Sequence, residues 1–375
     1  MTAHAKLSAS GSARWLNCAG SVAAEATIPS ANKGGFYASE GSTAHELADI
    51  CLTEGKSPFD FEGQTLPENN AVTVDREMCN AVQDYMDYVA TVPGVHEYEQ
   101  RVDFSDWVPE GFGTSDVISV DGDTIYIVDL KYGKGVRVDA EDNTQMMLYA
   151  LGAYSEQSLL HELKTVKMAI VQPRLDHISE ATITVEALLK WAEWVAERAE
   201  EAISKDAERT PGEKQCQWCA AKATCPALDA YTRRIVSADF DDLSNPDTLP
   251  DDRVREVLDA KKLITGWLDA VEKHVVERLE SGQDFPGYKL VAGRSLRQWE
   301  DEKTAETKLV ELLDTDAYER KLLTPAKAEK VLGKKKAVEI ADLIVKPEGK
   351  PTLAPESDKR PAVNVTANDF EACKT

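Results

Sequence analysis

Asp116, Asp129 and Lys131 lie on either side of a turn signal in the segment Gly113-Thr-Ser-Asp116-Val-Ile-Ser-Val-Asp-Gly-Asp-Thr-Ile-Tyr-Ile-Val-Asp129-Leu-Lys131. Two carboxylates and an ammonium, once brought together, suit the hydrolysis of a phosphodiester. Carboxylate oxygens hold a hard divalent cation, which neutralises phosphate and activates water, and a lysine beside them orients the nucleophile or stabilises the developing charge. Dispersed over a surface hairpin, the same three residues would be solvated charges with no chemistry.

The elements must therefore converge them. The runs Asp116 to Val120 and Thr124 to Leu130 are rich in β-branched and aromatic residues, and Asp121-Gly122 between them signals a two-residue hairpin loop. With that loop, Val120 opposes Asp123 and Asp116 opposes Ile127. Side chains alternate along a strand, so Ile127, Asp129 and Lys131 share the face of Asp116. This register predicts diagonal aspartates with Cβ atoms roughly 7 Å apart, near enough to share one ion. Changing the loop by one residue would turn Asp129 to the opposite face.

Gln145 and Tyr149 are four residues apart on a helix expected from about Ala140 to Tyr154, so they project from one face towards the strand ends. There they can hold a nucleotide or the attacking water; the plainer reading makes Tyr149 a core residue. His45, in Glu40-Gly-Ser-Thr-Ala-His45-Glu-Leu, falls near the start of another helix. As an imidazole ligand it would bias a site towards manganese over magnesium. Cys216-Gln-Trp-Cys219-Ala-Ala-Lys-Ala-Thr-Cys225 offers three thiols, one short of a four-Cys site. Cys18, which begins an alanine-rich helix and precedes Ala-Gly, is the candidate for the fourth. Spacing alone leaves zinc and an iron-sulfur cluster equally open. Cys51 and Cys79 fall at apolar helical positions and read as core thiols, and Cys373 as a tail residue.

Around these residues the pattern predicts helices over Ser12–Thr27, Ser42–Glu54 and Thr73–Thr91, then a strand Val95–Phe104 and the hairpin. The helix carrying Gln145 follows, then strands Val166–Gln172 and Ile178–Val185 and a helix from Glu186 to about Lys205. That order, α-β-β-β-α-β, predicts an α/β core with a mixed sheet. A periodic helix spans Arg253–Leu279, and beyond Thr324 the periodicity weakens amid Pro and Lys. The expected organisation is a domain over 1–235, a mainly helical region over 236–345 and a Pro- and Lys-containing tail over 346–375, partly disordered.

The chain has 375 residues, seven cysteines and a net charge of −23. That charge argues against a protein that coats nucleic acid with a broad basic face, but not against a local site whose carboxylates are neutralised by metal. From Lys321 to Arg360 ten Lys or Arg stand against six Asp or Glu, a net +4, leaving the remainder near −27. Neither an apolar span nor a leader is evident, so no membrane partner and a cytoplasmic location are expected, and an odd cysteine count there favours metal ligation over disulfides.

Taken in order, His45, Gly113 to Asp116, Asp129-Leu-Lys131 and Gln145 to Tyr149 resemble the PD-(D/E)XK nucleases of the RecB type. With Cys18, Cys216, Cys219 and Cys225 the chain resembles their iron-sulfur branch, which includes AddB nuclease domains, and a phage or prophage family known mainly as a domain of unknown function. The resemblance covers roughly residues 4 to 230. It implies a restriction-endonuclease-like α/β core, with a mixed sheet flanked by helices, an iron-sulfur clasp and a helical C-terminal extension. It implies that His45, Asp116, Asp129 and the Leu130 backbone carbonyl bind Mg²⁺ or Mn²⁺. It makes Lys131 the catalytic lysine and Gln145 with Tyr149 the substrate-contacting Q-x-x-x-Y pair. The four Cys would hold a [4Fe–4S] cluster clasping the two ends of the fold, with Zn²⁺ as the alternative occupant. The implied activity is metal-dependent cleavage of DNA, by an exonuclease on ends or single strands, in phage recombination, replication or repair within a bacterial host. Phage recombination or replication proteins are the implied partners. A non-catalytic iron-sulfur DNA-binding or recombination-accessory protein is the competing class; it would keep the Cys but could dispense with Lys131. The Lys334–Lys336 and Asp358-Lys-Arg360 clusters suit contact with DNA phosphates or a recombination partner, and suit a solvated charged tail at least as well.

Overall fold

The computed structural model describes residues 5–28, 36–69, 72–237 and 251–291, together with residues 307, 308 and 343. The chain divides into two units, Met1–Val291 and Ala292–Thr375. The tail over 346–375, Lys334–Lys336 and Lys359-Arg360 lie outside the described residues.

The first unit is built on a five-stranded mixed sheet: β1 (Val95–Asp103), β2 (Phe112–Asp121), β3 (Thr124–Leu130), β4 (Thr165–Gln172) and β5 (His177–Thr184), in spatial order β1-β2-β3-β4-β5. Neighbours are antiparallel except β3 and β4. Parallel strands need a long crossover, and α5 (Thr144–Gln157) lies within it. Helices cover both faces. On one side α5 and α6 (Val185–Ile203) bury Ile118, Ile125, Ile127, Met168 and Ile170. On the other, α3 (Phe36–Glu54) and α4 (Arg76–Val89) bury Val117, Val128, Leu130, Ala169 and Val171. Coverage on both faces is why β3 and β4 read as nearly continuous apolar runs.

The hairpin has the expected two-residue loop, displaced by one residue. Asp121 pairs with Thr124, so Gly122 and Asp123 form the turn, and Gly122 alone of the two has a positive φ, 61°. A turn with glycine first needs a left-handed backbone only there, whereas an Asp-Gly loop would force Asp121 into that region too. The pairing consequently slides by two residues: Ile118, not Asp116, faces Ile127. An even slip preserves the face. One step beyond the last pair, Val117 with Val128, brings Asp116 opposite Asp129 instead of diagonal to it.

The expected helix over Ser12–Thr27 is two short ones, α1 (Ser12–Trp15) and α2 (Ser21–Ala26). Gly20 explains the break. Its N–H donates to the Glu208 carbonyl at 2.8 Å, and a Cβ there would meet the Ala207 carbonyl at 2.5 Å. The segment after α6 thus packs on the N-terminal turn, where Arg198 Nε also donates to the Leu16 carbonyl at 2.9 Å. The segment leads into α7 (Glu213–Gln217) and α8 (Pro226–Ser237), against which α9 (Asp251–Glu280) packs Leu263 beside Cys216 and Leu228. The boundary expected at 235 falls inside this unit. No helix among the described residues is long and apolar enough to cross a membrane.

Candidate active site and cysteine pocket

β2 leaves its ladder with β3 after Val117 but stays paired to β1 as far as Phe112, so a wedge opens between β2 and β3 at Asp116. Backbone groups at such an opening lose their ladder partners and must find others. Asp116 Oδ2 accepts the Leu130 N–H at 2.6 Å, and its Oδ1 lies 3.2 Å from His45 Nδ1 on α3. Asp129, 2 % exposed, faces the wedge from β3. Its Oδ2 is 2.8 Å from Lys131 Nζ, and its Oδ1 accepts from Gln145 Nε2 at 3.3 Å. Lys131 Nζ donates to Gln145 Oε1 at 3.1 Å, and Gln145 Nε2 also approaches Tyr149 Oη at 3.0 Å.

The first turn of α5 is aimed by local chemistry. Asn143 caps it, its Oδ1 accepting the N–H groups of Gln145 and Met146. Gly113 supplies clearance: a Cβ there would sit 2.7 Å from Tyr149 Cε1. The glycine of the Gly113-to-Asp116 motif thus admits the Tyr149 ring against β2.

Electrostatics follow from packing charges into one buried place. Burial by itself would lower His45, but the charge and hydrogen bond of Asp116 overcome it and lift the imidazole to about 9. Burial would raise Asp116, yet His45, the Leu130 N–H and Lys131 hold it below the usual carboxylate range. For Asp129 burial wins and, with repulsion from Asp116, raises it despite Lys131. Lys131 is raised, since Asp129 and Asp116 outweigh burial. Burial, then the negative charges of Asp116, Asp129 and Glu99, hold the Tyr85 hydroxyl firmly protonated. Asp116 and Asp129 are thus shifted in opposite directions beside a protonated Lys131.

Of the residues singled out, Asp129, Lys131, Gln145 and Tyr149 are joined in one contact chain, while Asp116 contacts His45 and the Leu130 N–H. Leu130 lines the same pocket as His45 and Asp116. The converging ligand set includes one residue the sequence reasoning missed. Among the described residues, the ligand atoms of His45, Glu99 and Asp116 all lie within 4.8 Å of one another, whereas Asp129 is held apart by Lys131 and Gln145. Glu99 is the β1 residue facing Asp116, between the pairs Tyr98 with Val117 and Gln100 with Ser115. Its φ is +45°, and burial, with repulsion from Asp116, pushes its carboxyl up to about 7. One strand of polar residues gave no signal that this glutamate in particular would face the aspartate.

Cys18, Cys216, Cys219 and Cys225 line one pocket with Ser21, Arg209 and Thr210. The Gly20 break brings Cys18 there, and its Sγ accepts the Thr210 N–H at 3.3 Å. Burial raises the Cys216 thiol and pushes Cys219 to about 11, so neither is a reactive thiolate at neutral pH; a metal is what would deprotonate them. Among the described residues no three of these thiols lie within 4.8 Å of one another. Cys51 and Cys79 are fully buried between α3 and α4.

These features belong to a mixed α/β protein with a polar site at a sheet opening. The chain belongs to the family described as Protein of unknown function (DUF2800), which it matches over residues 4–361. It is also similar to a solved protein described as SSO0001, with 15 % identity over 60 % of this chain and 89 % of that one, at a TM-score of 0.29.

Proposed function

We propose that this protein is a metal-dependent DNA nuclease of the PD-(D/E)XK, RecB-like iron-sulfur type, acting as an exonuclease on DNA ends. The observation that carries the reading is the contact chain Asp129, Lys131, Gln145, Tyr149 at the wedge between β2 and β3, together with the pairing of Asp116 with His45 there. A bound Mg²⁺ or Mn²⁺ supplies charge neutralisation of the phosphate and an activated water. Asp116 and Asp129, with His45 and the Leu130 carbonyl, are the residues that would hold it. Lys131, kept protonated by Asp129, stands ready to place a positive charge beside the cleaved phosphate. Gln145 fixes the Lys131 ammonium and the Asp129 carboxylate, so α5 sets the geometry of the strand residues. Tyr149, its hydroxyl held by Gln145 Nε2, forms with Gln145 the pair that would contact the nucleotide. Cys18, Cys216, Cys219 and Cys225 would hold a [4Fe–4S] cluster with a structural role.

End-labelled single- and double-stranded DNA incubated with Mg²⁺ or Mn²⁺ tests this. Progressive shortening from an end, abolished by chelator, is expected. Intact DNA under all four combinations contradicts the reading.

A further inference from the structure

Glu99 belongs to none of the motifs above, yet it stands with His45 and Asp116 inside a 4.8 Å group. The pocket around them is completed by Asp49, Tyr85 and Leu130. Tyr85 is 1 % exposed, and its hydroxyl has no hydrogen-bond partner among the described residues. A buried hydroxyl without a partner calls for a bonding group in the cavity it borders. The left-handed backbone at Glu99, unfavourable for a residue with a side chain, interrupts β1 at the position that faces Asp116.

We infer that Glu99 joins His45 and Asp116 as a further ligand of the divalent cation, on the α3/α4 side of the sheet, with the Tyr85 hydroxyl bonding a water carried by that ion. The inference rests on the reading of Asp116 as a metal ligand. One imidazole and two carboxylates suit Mn²⁺, which accepts both donor types.

Mn²⁺ titration of the full chain, purified without oxygen to preserve its native metal content, tests this by calorimetry and electron paramagnetic resonance. Glu99→Gln should weaken Mn²⁺ binding at least about tenfold, and Tyr85→Phe by up to about tenfold, as for second-layer partners of metal ligands. Bound Mn²⁺ should show nitrogen coupling from His45, lost in His45→Gln. Absence of that coupling in the wild type, no Mn²⁺ binding, or unchanged binding in folded Glu99→Gln each overturns the proposal. Should Asp129→Asn lose all Mn²⁺ while Glu99→Gln keeps it, this proposal fails and the nuclease reading stands. Mn²⁺ bound as proposed without any DNA cleavage would support this cation position and overturn the nuclease reading.

Discussion

The sheet opening and the cysteine pocket gather their residues in opposite ways. The opening takes Asp116, Asp129, Lys131, Gln145 and Tyr149 from a 34-residue stretch of strand, strand and helix. The pocket joins Cys18 to Cys216 across 198 residues, through the packing of 207–209 on Gly20 and of Thr210 on Cys18. A site made of sequence neighbours is placed by hydrogen-bond register and a helix cap. A site made of distant segments is placed only when the whole unit has closed. Damage to the first should be local in its effects, and damage to the second global.

The largest effect expected of this contrast is on stability. Cys18→Ser should lower the stability of the whole first unit by several kcal/mol, since a cross-link closing even a 100-residue loop is worth about 4.7 kcal/mol. Thermal unfolding with iron and sulfide analysis checks it: wild-type protein purified without oxygen should be brown, with about four of each. Unchanged stability and iron content in Cys18→Ser would put the fourth ligand elsewhere. A colourless protein with one zinc would assign the clasp to zinc.

Gly113→Ala should act at the opening alone. The added methyl meets Tyr149 Cε1 at 2.7 Å, and overpacking of this kind costs about 1–3 kcal/mol. The displaced ring disturbs Gln145 and through it Lys131, so DNA cleavage should fall while iron content stays at the wild-type value. Equal loss of iron would show that the two regions are coupled.

A smaller effect concerns pH. In protein treated with a mild chelator of divalent ions, the raised His45 contributes stability that is complete below 6.5 and lost as pH rises through about 9. Glu99, an acid raised to about 7, adds a cost that grows from about 4.5 to 7. Both slopes have one sign, so the urea midpoint should fall between pH 6 and 9, less steeply in His45→Gln. A midpoint that rises over this window contradicts the His45 and Asp116 pairing.

Much of the opening could be read from residue types. Alternation put Asp116 and Asp129 on one face, and because the loop kept two residues its displacement cost only the diagonal relation. The i, i+4 spacing put Gln145 and Tyr149 together. Glu99 escaped because its placement depends on β1 pairing and an unusual backbone angle, neither of which residue type encodes. The helix break at Gly20 escaped for a related reason: the carbonyl that excludes a side chain there comes from Ala207, far along the chain.

The central claim is that Asp129 and Lys131 serve chemistry and not the fold. Its most direct test is the single-turnover cleavage rate of end-labelled DNA for the wild type, Asp129→Ala and Lys131→Ala, each first shown to keep wild-type iron content and thermal unfolding. Loss of at least about a hundredfold in both variants is expected, on the scale of removing one charge-stabilising group from an active site. Undiminished cleavage by both would contradict the account.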